Sequence, residues 1–249
     1  GVASGTIFID EVAVVQELDT TAPTLSSVSL ASDNSTSTLA KAGDVVAVTF
    51  TASESITTPT VTFTSGGDSI TNAPSYNHTL GDTWTASYTV ASADTDGAVA
   101  YSITFSDTSS NSGTAVTSGT GSVTVDTTAP TLAAVTAIST PTTDNTPSFV
   151  FSSDEAGTIT TSISEGFSTS TSAFSGNNTI TFNALSDGTY SGKTVTVTDA
   201  TGNADSLTIA DFVIDTTGPT IAITSSTVSD GATSNDSSIA LTFTSNEAT

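Results

Sequence analysis

The chain has 249 residues, with 25 Asp and Glu against 2 Lys and Arg, one His and no Cys or Met, for a formal net charge of −23. Two cations cannot neutralise a phosphate backbone, and no apolar run or basic amphipathic stretch suits a bilayer, which argues against nucleic-acid binding and membrane insertion. Ser and Thr fill 96 positions, yet 11 Phe and a mean hydropathy of +0.11 point to an ordered chain with a hydroxyl-rich surface rather than a solvating tail.

In chain order, residues 1–18 hold one strand-like run, Thr6-Ile7-Phe8-Ile9-Asp10-Glu11-Val12-Ala13-Val14, expected to be the last strand of a preceding β domain. Residues 19–126 open on Asp19-Thr20-Thr21-Ala22-Pro23-Thr24-Leu25 and carry alternating runs at Val46/Val48/Phe50, Trp84/Ala86/Tyr88/Val90 and Tyr101/Ile103/Phe105. The first run closes on Glu54 and the last on Asp107. Residues 127–215 follow Asp126-Thr127-Thr128-Ala129-Pro130-Thr131-Leu132, with a run ending Phe151-Ser152-Ser153-Asp154-Glu155 and another ending at Asp199-Ala200-Thr201-Gly202-Asn203. Residues 216–249 continue Asp215-Thr216-Thr217-Gly218-Pro219-Thr220-Ile221 and supply two strands of a third repeat, up to Phe243-Thr244-Ser245-Asn246-Glu247.

The leading aspartates lie 107 and 89 residues apart, and the glutamates follow them by 35, 29 and 32 residues. A repeat of that period is a domain rather than a solenoid turn. Between landmarks the period is two, with Thr on the wet face, where a branched side chain suits an extended backbone. Turn signals at Gly66-Gly67-Asp68, Asp96-Gly97, Gly176-Asn177 and Asp187-Gly188 separate the runs. The fold class expected is all-β: tandem immunoglobulin-like antiparallel β-sandwiches. Trp84 and Tyr88 fall on the buried face. His78, between Tyr76, Asn77 and Thr79, is placed in a loop and has no catalytic partner motif.

The Asp-x-x-Ala-Pro linkers, the Phe-x-x-x-Glu strand ends and Thr198-Asp199-Ala200-Thr201-Gly202-Asn203 resemble the bacterial Ig-like repeats of large secreted adhesins and surface proteins. The resemblance covers residues 19–249. It implies extended display of other modules away from a cell, and calcium between domains in the manner of cadherins. Asp107-Thr108-Ser109-Ser110-Asn111 departs from the pattern by lacking the glycine.

Topology argues for metal sites separately. In a seven-strand sandwich the B–C and F–G turns share the pole where the chain enters. Glu54 and Asp107 are therefore expected near Asp19, Glu155 and Asp199 near Asp126, and Glu247 near Asp215, with Asp154 and Asp205 as lesser candidates. Calcium takes six to eight hard oxygens, which such residues supply without His or Cys. The competing expectation is that the linker aspartates only form Asx-turns.

The function expected is a non-enzymatic structural spacer of an extracellular or cell-surface protein, with other repeats of the same or identical chains as partners. The alternatives are a filament subunit assembled by strand pairing between chains, and an accessory module binding carbohydrate or a host surface. The missing Cys, together with so few Lys and Arg, suits a secreted bacterial or archaeal surface protein.

Overall fold

Alternation of period two puts every second side chain on one face of a strand, and a face rich in Val, Phe and Ile leaves water only by meeting another such face. The computed structural model describes residues 18–79, 81–225, 229 and 231–247; the strand expected within residues 6–14 lies outside them. The chain divides into two compact units, one running through Thr128 and the other from Ala129. The named elements are all strands.

The first unit contains β1 (Leu25–Ser32), β2 (Leu39–Ala40), β3 (Val45–Ala52), β4 (Thr60–Ser65), β5 (Asp68–Ser69), β6 (Ser75–His78), β7 (Thr83–Thr89), β8 (Gly97–Thr104) and β9 (Thr124–Val125). One sheet has the order β1-β3-β7-β6 and the other β2-β9-β8-β4-β5. Its ladders are antiparallel, except that β2 and β9 run parallel. Val46, Val48 and Phe50 of β3 are fully buried opposite Tyr88, Ala86 and Trp84 of β7. Val61, Phe63, Tyr101 and Ile103 of the second sheet complete the core, and the Phe63 and Tyr88 rings meet with centroids 5.0 Å apart. Burying each such side chain contributes about 1.5–3 kcal/mol. On the wet face of β3 and β7, hydroxyls pair across strands, Thr49 with Thr85 at 3.1 Å and Thr51 with Thr83 at 3.2 Å.

One expectation is corrected here. His78 is the last residue of β6, not part of a loop; its ring stacks on Trp84 at 4.3 Å and its Nε2 lies 2.9 Å from the Gly81 carbonyl oxygen. All four residues of β6 are exposed, so that edge strand has no alternation to read. Residues 106–123 form a second segment without a regular pattern, held to β1 by a parallel bridge from Thr120 to Ser29 and to β8 by a bridge from Val116 to Ile103. Gly119 and Gly121 are required there, because a Cβ at either would collide with the Val28 or Leu30 carbonyl.

The second unit contains β10 (Leu132–Thr136), β11 (Ser148–Ser153), β12 (Gly157–Thr161), β13 (Ser172–Ala173), β14 (Gly176–Thr181), β15 (Gly188–Tyr190), β16 (Thr194–Thr198), β17 (Ala204–Thr208), β18 (Phe212–Ile214), β19 (Ile221–Ser225) and β20 (Leu241–Ser245). Its sheets are β10-β11-β14, β13-β12-β16-β17, β15-β18 and β19-β20. The β16–β17 register, Thr198 with Ala204 to Thr194 with Thr208, continues in β15–β18 from Tyr190 with Phe212 to Gly188 with Ile214. These four segments are one interrupted hairpin. Phe149, Phe151, Ile180, Phe182, Val195, Val197, Phe212 and Ile214 fill the core. Gly176-Asn177, expected as a turn, starts β14, and the buried Asn178 side chain bonds both to the Phe174 backbone and to the Gly176 carbonyl. In β19–β20, Ile221, Ile223, Leu241 and Phe243 share one exposed face.

Candidate metal centre

The three linkers begin identically. Asp19, Asp126 and Asp215 each accept the amide of the residue two positions on, Thr21 at 2.9 Å, Thr128 at 3.1 Å and Thr217 at 3.3 Å. These are Asx-turns, so each linker aspartate already has a local structural use.

In the first unit Glu54 follows β3 and Asp107 follows β8. Asp107 is buried, and its Oδ1 accepts the amides of Ser109 at 2.9 Å and Asn111 at 2.8 Å. The Asn111 side-chain amide donates to Asp107 Oδ2 at 2.8 Å and to the Asp19 carbonyl at 3.0 Å, which ties the loop to the linker. The equivalent loop in the second unit is built the same way. Asp199 Oδ1 accepts the amides of Thr201, Gly202 and Asn203, and the Asn203 side chain donates to Oδ2 at 2.9 Å. The missing glycine does not break the equivalence: Ser110 adopts φ 74° where Gly202 has φ 97°. A left-handed conformation costs a non-glycine residue roughly 1–2 kcal/mol, which the loop's hydrogen bonds offset.

Asp19, Glu54 and Asp107 bring carboxylate oxygens within 4.8 Å of one another. Burial pushes the Glu54 carboxyl above the usual range, and the negative charges of Asp19 and Asp107 push it further. Asp107 moves the other way: burial raises it, but the Asn111 side chain and the amides around it prevail and hold it low. Asp107 is thus committed to its loop and Asp19 to its Asx-turn, and Glu54 faces a repulsion from both that a cation would relieve. All three donors are hard oxygens, as calcium requires.

In the second unit Glu155 and Asp199 carry carboxylate oxygens within 4.8 Å of each other. Asp126 lies in the first unit, two residues before its end. Asp215 and Glu247 line one open cleft together with Pro141 and Thr142. Among the described residues, they are not part of a cluster of three carboxylates. Asp205 accepts the Ser206 amide at 2.8 Å.

Asp154 has a structural use that it shares with residues the sequence did not single out. Its side chain accepts the Thr131 amide at 2.6 Å, as Ser53 accepts that of Thr24 at 3.0 Å and Asn246 that of Thr220 at 2.6 Å. A backbone bond returns in each case, from the amide of Ser53, Asp154 or Asn246 to the same threonine's carbonyl. The available signal is the short acceptor (Ser, Asp or Asn) immediately before each landmark glutamate.

Residues 134–216 match the family model described as the bacterial Ig-like domain. A search of curated proteins returns no match. Solved structures similar in shape are tandem Ig domains. A three-Ig segment of titin, an E-to-A variant, is 12% identical, covering 90% of this chain and 76% of its own, with a TM-score of 0.44. A four-domain ectodomain fragment of ICAM-5 is 18% identical over 79% of this chain and 48% of its own, with a TM-score of 0.37. The full ectodomain of mouse nectin-like molecule 4 is 12% identical over 72% of this chain and 63% of its own, with a TM-score of 0.26.

Proposed function

We propose that the chain is a non-catalytic spacer of tandem Ig-like sandwiches in an extracellular surface protein, stiffened by calcium at its loop poles. The observation that carries the calcium reading is the Asp19–Glu54–Asp107 cluster with its raised Glu54. By sequence equivalence the same role goes to Asp126, Glu155 and Asp199, and to Asp215 and Glu247. The acidic, cysteine-free, Ser/Thr-rich composition and the bacterial Ig-like match at residues 134–216 support the extracellular setting. Among the described residues no helix is long and apolar enough to cross a membrane.

Melting in chelator and in millimolar calcium tests this reading on the wild type and on Glu54→Gln. The wild type is expected to melt higher with calcium, as any ligand of the native state requires. Glu54→Gln, freed of like-charge repulsion, is expected to exceed the wild type in chelator and to lose most of the calcium response of the first unit's transition. An equal calcium response of that transition in both proteins, or none in the wild type, would sink the site.

A further inference from the structure

The turn aspartates Asp96 and Asp187, each followed by glycine, make a contact that recurs almost atom for atom. Asp96 Oδ1 accepts the Thr127 amide at 2.7 Å and the Thr127 hydroxyl at 2.9 Å, while Oδ2 accepts the Thr128 hydroxyl at 2.7 Å. In the second unit Asp187 Oδ1 accepts the Thr216 amide at 2.9 Å and the Thr216 hydroxyl at 2.7 Å, and Oδ2 the Thr217 hydroxyl at 2.7 Å. One carboxylate thus grips both threonines of the linker that follows β9 or β18, across 31 and 29 residues of sequence. The Asp126 and Asp215 Asx-turns take the second threonine's amide, so each pair has both amides and both hydroxyls satisfied.

The backbone holds the grip in place. Gly97 and Gly188, at φ 138° and 152°, let the chain turn directly into β8 and β15 with the aspartate left facing the linker. A Cβ at Gly97 would press on the Gly66 backbone, so this turn is packed closely against the β4–β5 turn. By contrast, the last strand before each linker is short: two residues in β9 and three in β18.

We propose that Asp96 and Asp187 are mechanical latches, which carry tension from the linker into the turn before β8 or β15 and so spare the short last strand. A pull on Thr127 or Thr216 without the latch falls on the few bonds of β9 or β18. These include the amides of Asp126 to the Ala40 carbonyl and Asp215 to the Thr142 carbonyl, both 2.9 Å. With the latch, the same pull must break three charge-assisted bonds at once, each stronger than a neutral one. Only the direction of loading rests on the spacer reading, since a spacer is stretched through its linkers.

The test is constant-force unfolding of the full chain held by its ends. Asp187→Ala should unfold the second unit about tenfold faster at a given force, with the first unit unchanged, and Asp96→Ala should do the reverse. Thr216→Val with Thr217→Val keeps the side-chain shape and the amides, and should reproduce part of the effect should the alanine variant fold poorly. Amide exchange at Thr127 and Thr216 follows the latch without load and is expected to quicken in the alanine variants. Unchanged force-driven rates in folded variants would overturn the proposal. The melting comparison with calcium stands or falls separately, so a failed spacer reading and a failed latch give different results.

Discussion

Replacing Phe151 with alanine is expected to remove about 3–5 kcal/mol from the second unit and to leave unfolding of the first where it was. Phe151 is fully buried, as are Phe149, Ile180 and Phe182 around the same core. Its deletion loses apolar burial and leaves a cavity that sheets pinned on both sides by ladder hydrogen bonds cannot close. Against a typical domain stability of about 5–15 kcal/mol, that is at least about a fifth of the total. The first unit has its own core around Val48, Phe50 and Ile103, and no residue of the two clusters is shared. Denaturant unfolding of wild type and variant, followed by calorimetry, distinguishes the cases. One transition moving alone supports two independent cores, and a joint shift of both would contradict it.

The two separate cores were legible from residues. The recurrence of Asp-Thr-Thr, of Phe-x-x-x-Glu and of the second unit's Asp199–Asn203 loop located the repeats, and strict alternation at Val46/Val48/Phe50 or Val195/Val197 placed the core strands. Both signals exist because a strand with one buried face repeats its demand every second residue. Where that demand lapses, the sequence is silent. Exposed β6 carries Ser, Tyr, Asn and His with no buried face, and residues 106–123 meet β1 and β8 through isolated bridges, with glycines where they approach β1 most closely.

The poles were legible in part. Topology alone placed Glu54 and Asp107 beside Asp19, because turns at one end of a sandwich share a pole. What composition could not reveal is how each carboxylate is spent. Asp107 and Asp199 fold their loops, Asp154 starts a strand, and Asp96 and Asp187 grip linkers about 30 residues away. An Asp-Gly pair reads as a turn either way, since the partner hydroxyls are distant in sequence and Thr is too common here to stand out.

The many spent carboxylates predict a steep acid transition. Hydrogen bonds hold several aspartates below the usual range: burial would raise Asp94 and Asp96, but the Ala91 and Thr127 amides and neighbouring groups outweigh it. Asp107 follows the same balance, while Asp154 is lowered first by the Thr131 amide and Asp187 by the Thr216 and Thr217 hydroxyls. A group whose folded pKa lies below its unfolded value binds fewer protons when folded. Its stabilisation is complete above the unfolded value, near pH 4, and is lost as pH falls through the folded one. Glu54 has the opposite sign. Its raised pKa favours the folded state in acid, and that contribution disappears as pH rises through the folded value. Five lowered aspartates against one raised glutamate set the direction: both units should keep their stability down to about pH 4 and lose it below. Glu54→Gln should flatten the calcium-free profile of the first unit just above the ordinary glutamate value and leave the steep fall beneath it. Melting temperatures across pH 2–7 in chelator measure both. A profile that stays level through pH 3 would mean that these aspartates are not held by the bonds described, because a carboxylate indifferent to its protonation cannot be the acceptor on which a loop or linker depends.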